Sequence, residues 1–445
     1  MAKKQDNIFE CQHCGAHNLK WSGKCTNCGA WDSLLEIKKK DLQILKKLDS
    51  NTMESSAISI RDVKFDLINK ISSNESELDI VLGGGIVVGG LYLIGGSPGV
   101  GKSTLLLKIS NNLAKDRKVL YISGEESVSQ IKLRAKRLGV CEDNLYLLSA
   151  IDIDSIEANL KQGNFKVCII DSIQTMFSAS ISSSPGSVSQ VRECTFILLR
   201  LAKELQISIF IIGHITKDGA IAGPRILEHM VDCVLYFEGD PSKELRLLRC
   251  FKNRFGASNE VGIFEMKQEG LISAKNASIM FLKNREALSG SAVSVVMEGS
   301  RPIVLEIQAL VSESGYPKRL ATGFELNRLN MLLALLERKL DVPLARYDVF
   351  VNVVGGIKIN ETSADLALIA AIISSFKNRP ISPKSAFIGE VSLIGDIREV
   401  NNVDSRLKEL ESYGFSNVII SKKPKNKYNL KIFEAIDVTK LLQWM

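Results

Sequence analysis

No stretch of this 445-residue chain comes near the roughly 18 consecutive apolar residues that a membrane span needs, so a bilayer-embedded protein is not expected. The opening MAKKQDNIFEC has lysines and no apolar stretch behind them, which argues against a secretory leader. No internal repeat is present. A strong charge of one sign is also missing: the net charge of +7 is compatible with nucleic acid and too small to argue for it alone. So is a disulfide framework. Five of the nine cysteines (Cys141, Cys168, Cys194, Cys233 and Cys250) are scattered, mostly inside apolar runs, and read as reduced core residues of a cytoplasmic protein.

What is present is an ordinary globular composition, 45 % apolar and 24 % charged, in a chain too long for one core. Residues 1–34 are cysteine-rich, and 35–60 form a lysine-rich and then serine-rich linker. From 61 to 270 short apolar runs alternate with helical patterns. The expected strands are LYLIGG (91–96), KVLYIS (118–123), KVCIID (166–171), ISIFIIGH (207–214) and DCVLYFE (232–238). Strands separated by helices imply a parallel, helix-covered sheet. A second linker, 271–290, leads to a separate α/β domain over 291–445, with strands VSVVME, VLEIQAL and DVFVNVVGG and the helix ADLALIAAIISSF.

The N-terminal pattern CQHCGAHNLKWSGKCTNC sets Cys11, Cys14, Cys25 and Cys28 as C-x2-C-x10-C-x2-C. Each C-x2-C turn offers two thiolates to one ion, and four close a tetrahedral Zn²⁺ site with no open position, so the site is structural. A module this small cannot fold on its own core, so the metal supplies its folding energy.

GSPGVGKST, residues 96–104, fits G-x4-G-K-[ST] after an apolar strand and before a helix, the setting that motif requires. The run Gly96, Ser97, Pro98, Gly99, Val100, Gly101, Lys102, Ser103, Thr104 is expected to hold ATP. Its glycines let backbone N–H groups close on phosphate oxygens, Lys102 reaches the β/γ-phosphates and Ser103 the Mg²⁺ ion. Asp171, ending KVCIID, is the expected second acid for Mg²⁺. Hydrolysis also needs a group that orients water. Glu125 in YISGEES ends another strand, and Glu126 is its rival. His214 ends ISIFIIGH, where it either senses the γ-phosphate or is a satisfied core histidine.

CFKNRFG, residues 250–256, puts Lys252 and Arg254 two positions apart, on one face of an extended segment that Phe255 and Gly256 break off. The pair meets an anion outside its own domain or is a solvated edge.

Taken together, the cysteine module, GSPGVGKST, GHITKDGAIAGPRILEHMVD, KNRFG and GEVSLIGDIREV resemble the bacterial RadA (Sms) family of DNA recombination and repair ATPases, over nearly the whole chain and in the family's domain order. The resemblance implies an α/β fold class: an N-terminal C4 zinc module, a RecA-like P-loop ATPase domain and a C-terminal ribosomal-S5-like (Lon-protease-like) domain. It implies that Glu125 is the catalytic glutamate and His214 a relay to DNA-binding loops. Those loops are MFSASISSSPGSVSQ (176–190) and TKDGAIAGPR (216–225), glycine- and serine-rich and therefore mobile, with Lys217 and Arg225 as phosphate contacts. Only Phe177 is placed for base stacking, so backbone contacts should dominate. By similarity to replicative DnaB-type helicases, Lys252 and Arg254 would act across the interface of a homo-hexameric ring on the neighbour's γ-phosphate. The implied partners are single-stranded and branched DNA and a RecA-type recombinase; the implied activity is DNA-dependent ATP hydrolysis driving branch migration.

The last domain resembles the Lon protease domain, in which a lysine activates a serine. Ser363 of KINETSADLA falls at the nucleophile position, but the position corresponding to the lysine holds Asp404, and Asp365 replaces a small residue. Ser363 is therefore read as a helix-start hydroxyl. Arg301, Lys318, Arg319, Arg328, Arg346 and Lys358 make the domain partly basic, either an oligomerisation and DNA-binding surface or a solvated one. The rival functions are an ATP-gated Lon-type peptidase or chaperone, and a RecA-fold regulator that uses ATP without DNA.

Overall fold

A computed structural model describes residues 70–213, 226–239, 244–274 and 287–444, most of 8–37, and residues 59, 61 and 282. His214, Lys217 and Arg225 lie outside the described residues. The chain divides into two compact units, Met1–Ala274 and Lys275–Met445.

The N-terminal module is a three-stranded antiparallel sheet, β1 (Ile8–Cys11), β2 (His17–Asn18) and β3 (Leu34–Ile37), in the order β2-β1-β3. Among the described residues its buried core is Cys11, Cys25 and Leu34, few apolar groups for a fold without a metal.

The rest of the first unit begins with a short pair, β4 (Lys70–Ile71) and β5 (Ile86–Val87), around α1 (Ser76–Val81). Then come β6 (Leu91–Gly96), α2 (Lys102–Ala114), β7 (Val119–Ser123), α3 (Val128–Arg137), β8 (Leu145–Ser149), α4 (Ile153–Gly163), β9 (Val167–Asp171), α5 (Val188–Leu205), β10 (Ser208–Ile212), α6 (Ile226–Met230), β11 (Cys233–Glu238), β12 (Leu245–Asn253), β13 (Val261–Lys267) and β14 (Gly270–Ser273). They form a nine-stranded sheet ordered β14-β13-β12-β11-β6-β10-β9-β7-β8. The strands from β11 to β8 are parallel, as expected of the five quoted runs, and β12, β13 and β14, which were not among them, extend one edge antiparallel. Tight reversals suffice between antiparallel strands, so the chain after β11 adds sheet without crossover helices. Both faces are covered. Tyr92 and Ile94 of β6 join the core under α2, and Leu91 and Leu93 join the core under α5, the two-sided burial of a central strand.

The second unit holds β15 (Ser291–Glu298), β16 (Arg301–Glu313), β17 (Arg319–Thr322), α7 (Leu326–Leu340), β18 (Tyr347–Val353), α8 (Asp365–Lys377), β19 (Ser385–Ile388), β20 (Glu390–Val391), β21 (Ile397–Arg398), α9 (Val403–Ser412), β22 (Asn417–Ile420) and β23 (Lys431–Glu434). Seven of the strands form a mixed sheet ordered β17-β18-β16-β15-β19-β22-β23, and β20 pairs with β21. The first ten residues of α8 are buried all round, as a helix read from ADLALIAAIISSF must be.

Candidate functional site

Beyond the end of β6 the chain turns sharply into α2. Gly96 has φ +153° and a Cβ there would stand 2.6 Å from the Phe237 carbonyl oxygen; Gly101 has φ +115° and a Cβ would stand 2.8 Å from Leu271 Cδ1. Only glycine fits either position. Ser97, Pro98 and Gly99 are exposed between them, Val100 is buried, and Ser103 and Thr104 follow in the first turn of α2. Lys102 is 4 % exposed, and its Nζ donates to the carbonyls of Gly96 (2.7 Å) and Ser97 (3.0 Å). Burial pushes its ammonium down to about 8, while Asp171 and Glu125 pull it back up.

One strand, β10, separates β6 from β9, whose last residue is Asp171, 5 % exposed. Tyr121 Oη donates to Asp171 Oδ2 (2.5 Å), Arg134 Nη2 donates to Tyr121 Oη (3.2 Å) and lies 3.8 Å from Asp171 Oδ2. Burial, with the Asp171 charge adding to it, raises the Tyr121 hydroxyl well above its ordinary value, so it stays a donor. Ser123 is the register partner of Asp171, so the GEES turn starts beside it. Here the two glutamates part. Arg134 pairs with Glu126 (2.8 Å), whereas Glu125 accepts from the Ser172 hydroxyl, next in chain to Asp171. The hydroxyl of Ser103 and the carboxylate of Asp171 are hard oxygen donors of the kind Mg²⁺ takes, and the exposed loop 97–99 leads to a helix N-terminus suited to phosphate.

Lys252 and Arg254 stand at the other end of the sheet. β11 runs parallel to β6 with Cys233 opposite Tyr92 and Phe237 opposite Gly96, and Asn253 pairs with Cys233. Arg254 N donates to Asp232 O, and Asp232 N to Leu91 O. Leu91 and Gly96 are five residue steps apart along the strand, roughly 16 Å. The two cations have separate partners. Lys252 Nζ donates to the carbonyls of Glu228, His229 and Val231, and Arg254 Nη1 pairs with Asp232 Oδ1 at 3.5 Å.

The serine-rich segment 176–190 is closed on itself. Gln190, fully buried, accepts from Ser178 N and donates to the carbonyls of Ser178, Ile181 and Ser183. A side chain at the start of α5 thus satisfies backbone groups of the turn.

In the second unit, Ser363 is buried and donates to Glu361 Oε1 (2.5 Å) while accepting from Arg406 Nη1 (2.9 Å). Arg406, not Asp404, faces the serine. Asp404 is exposed and accepts from Tyr428 and Asn426. A guanidinium remains protonated and cannot serve as a base. Ser363 does sit at the helix start, in the turn 362–364 that leads into α8, but its hydroxyl caps no backbone group and is held instead by Glu361 and Arg406. Asp365 is paired with Arg328, so that arginine is committed internally, as is Arg319, which donates to the carbonyls of Leu344 and Tyr347. Lys318, Arg346 and Lys358 remain exposed.

The four N-terminal sulfurs lie within 4.8 Å of one another, with Cys11 to Cys28 and Cys14 to Cys25 at 3.6 Å. A tetrahedral ion at about 2.3 Å from each sulfur would space them about 3.8 Å apart, so the cluster fits zinc. Among the described residues no helix is long and apolar enough to cross a membrane.

Sequence reasoning singled out the loop, Asp171 and the KNRFG segment but not Tyr121, Arg134, Asp232 and Arg406. Asp232 ends the quoted GHITKDGAIAGPRILEHMVD, a signal that was available; Tyr121 and Arg134 carry none. Comparison with known proteins gives a rubredoxin metal binding domain over residues 9–36 and an AAA domain over 56–220. "DNA repair protein RadA" of Helicobacter pylori is 59 % identical over 449 residues, covering 100 % of both chains. The Campylobacter jejuni protein of that name is 59 % identical over 444 residues, 99 % of this chain and 100 % of the relative. That of Bacillus subtilis is 47 % identical over 433 residues, 94 % and 93 %. Among solved structures, the RadB recombinase aligns at 22 % identity and TM-score 0.38 over 46 % of this chain and 99 % of that one.

Proposed function

This chain belongs to the RadA family of DNA repair proteins, and from that premise we propose that it is a DNA-dependent ATPase of homologous recombination. It assembles as a homo-hexameric ring, loads on single-stranded DNA and drives branch migration of intermediates made by a RecA-type recombinase. Residues 96–104 hold ATP, and Ser103 and Asp171 hold Mg²⁺, which neutralises charge on the phosphates. Tyr121 and Arg134 fix the Asp171 carboxylate. Glu125 orients the attacking water, because Glu126 is engaged by Arg134. His214, which ends ISIFIIGH in the sequence, relays occupancy to Lys217 and Arg225 on the DNA. Arg254 supplies positive charge to the neighbouring protomer's γ-phosphate, a contribution of roughly 10³–10⁵ in rate.

The observation that carries this reading is the sheet register. Arg254 stands at the end of the sheet opposite its own phosphate loop, so within one chain it is too far to assist hydrolysis. Mixing Arg254→Ala with Lys102→Ala protein is the test. Each variant alone is inactive, and random assembly in equal parts gives an intact loop facing an intact finger at roughly a quarter of interfaces. Recovered DNA-stimulated hydrolysis is expected in the mixture. If no mixing ratio restores activity, the trans assignment fails.

A further inference from the structure

Asp232 immediately precedes β11 and is 2 % exposed, a carboxylate buried at the end of the sheet away from the phosphate loop. Each of its polar groups has a partner. Its N–H donates to Leu91 O (2.9 Å) and its carbonyl accepts from Arg254 N (3.0 Å). Oδ2 accepts from Leu91 N (3.0 Å) and from Lys203 Nζ (2.8 Å), in the last turn of α5. Oδ1 meets Arg254 Nη1 at 3.5 Å. The two bonds to Leu91 already fasten Asp232 to the first residue of β6, a strand paired on both sides. The contact through Oδ1 therefore joins the guanidinium to a fixed point. Beyond Arg254 the chain is held as well: Phe255 N donates to Asn253 Oδ1 (2.9 Å), and the Phe255 ring packs 6.4 Å from that of Tyr92.

A buried carboxylate has to be neutralised. Lys203 is the closer of the two cations and does this, so Arg254 is oriented without being consumed. A guanidinium has five N–H donors. One side of this one is turned to Asp232 and its side chain is 57 % exposed, which leaves donors for an anion arriving from outside. We infer that Asp232 is a positioning residue for Arg254: its carboxylate holds the finger in the direction of the neighbouring protomer's phosphate, and Lys203 balances that carboxylate so that the guanidinium keeps its charge for the phosphate. The inference rests on the role proposed above for Arg254. Asp232 is also bonded to the strand that ends in its own phosphate loop, so the experiment has to separate service to that loop from service to the neighbour's.

Full-length protein is assayed for ATP hydrolysis with oligo(dT) present. Asp232→Asn removes the charge and keeps the shape. It is expected to lower kcat on the order of 10²-fold, with KM for ATP within about twofold of the parent because its own loop is intact. Lys203→Met leaves the buried carboxylate with Arg254 as its counter-ion, and is expected to lower kcat about tenfold with the same split; it also serves if Asp232→Asn does not fold. Mixing then separates the two sides of the interface. Either variant mixed with Lys102→Ala should regain hydrolysis above the average of the two proteins alone, and mixed with Arg254→Ala should regain none. The inference is overturned if the variant keeps the parent kcat, or if it recovers with Arg254→Ala instead and so serves its own loop through Leu91. It is overturned too if the variant recovers with neither, which would make the contact a matter of its own protomer's fold. If Arg254→Ala and Lys102→Ala fail to restore each other, the finger reading itself has failed, a distinct result.

Discussion

Replacing Arg406 by leucine removes five hydrogen bonds at once from a side chain that is 1 % exposed. The acceptors are Asn401 O, Val295 O, both oxygens of Glu361 and Ser363 Oγ, and leucine leaves the Glu361 carboxylate half-buried without its counter-ion. Breaking a buried pair from one side costs about 3–5 kcal/mol, and the partial exposure of Glu361 argues for the lower end, about 3 kcal/mol. In a unit of this size that corresponds to a melting transition lowered by roughly 6–12 °C. Calorimetry on the full chain is the assay, with ATP added to shift the transition of the nucleotide-binding unit and so leave the other recognisable. Removing both partners, Arg406→Leu with Glu361→Leu, should recover at least half of the loss, since no charge is then stranded. Acid narrows the difference. Burial alone would raise the Glu361 carboxyl, but Arg406 and Ser363 outweigh it and hold it below its usual 4.5. A depressed carboxyl stabilises the fold above that pH, and the contribution disappears as pH falls through the folded-state value. A single variant that melts within about 2 °C of the parent, or a double variant no better than the single, would refute the reasoning.

Three further outcomes are expected. Because Lys102 titrates near 8 and must be charged to meet phosphate, ATP affinity should fall about tenfold per pH unit above that value, with about half a proton taken up on binding at pH 8; calorimetry in buffers of different ionisation enthalpy reads this. Tyr121→Phe removes the hydroxyl that fixes Asp171, and the Mg²⁺ concentration for half-maximal hydrolysis should rise on the order of tenfold. Thiol modification should release one zinc per chain, Cys14→Ser should release none, and hydrogen exchange should then rise across β1–β3 alone.

How much of this was legible depended on whether a signal is local. β6, β7, β9, β10 and β11 are continuous apolar runs because they are buried on both faces, and they read directly. β12 reads LRLLRCFKN, with cations interleaved along a strand towards the sheet's edge, and carried no such signal. The phosphate loop announces itself because phosphate binding requires that spacing. Glu125 and Glu126 are adjacent and chemically identical, and what separates them is Arg134, brought up by the turn of α3. Asp404 and Arg406 show the same limit. They are two residues apart on α9, about 200° around a helix, so a motif alignment that is off by two swaps an exposed carboxylate for a buried guanidinium. The polar core around Ser363 is a tertiary fact, and neither half of it names the other in sequence.

Under the proposed function the two ends of one rigid sheet carry complementary halves of a site. The phosphate loop, Glu125 and Asp171 gather at the ends of β6, β7 and β9, and Arg254 lies past the beginning of β11. Surfaces of that kind meet head to tail, the heterologous contact that closes into a ring or runs on as a filament; a twofold dimer would instead need the sheets side by side and reversed. In a closed ring every protomer gives one finger and receives one. Diluting the parent protein with Arg254→Ala should therefore silence the neighbour's loop while the variant's own loop stays intact. For independent interfaces, activity then falls linearly with the variant fraction. A steeper fall means that the sites fire in concert, and no fall at all means that Arg254 serves no neighbour.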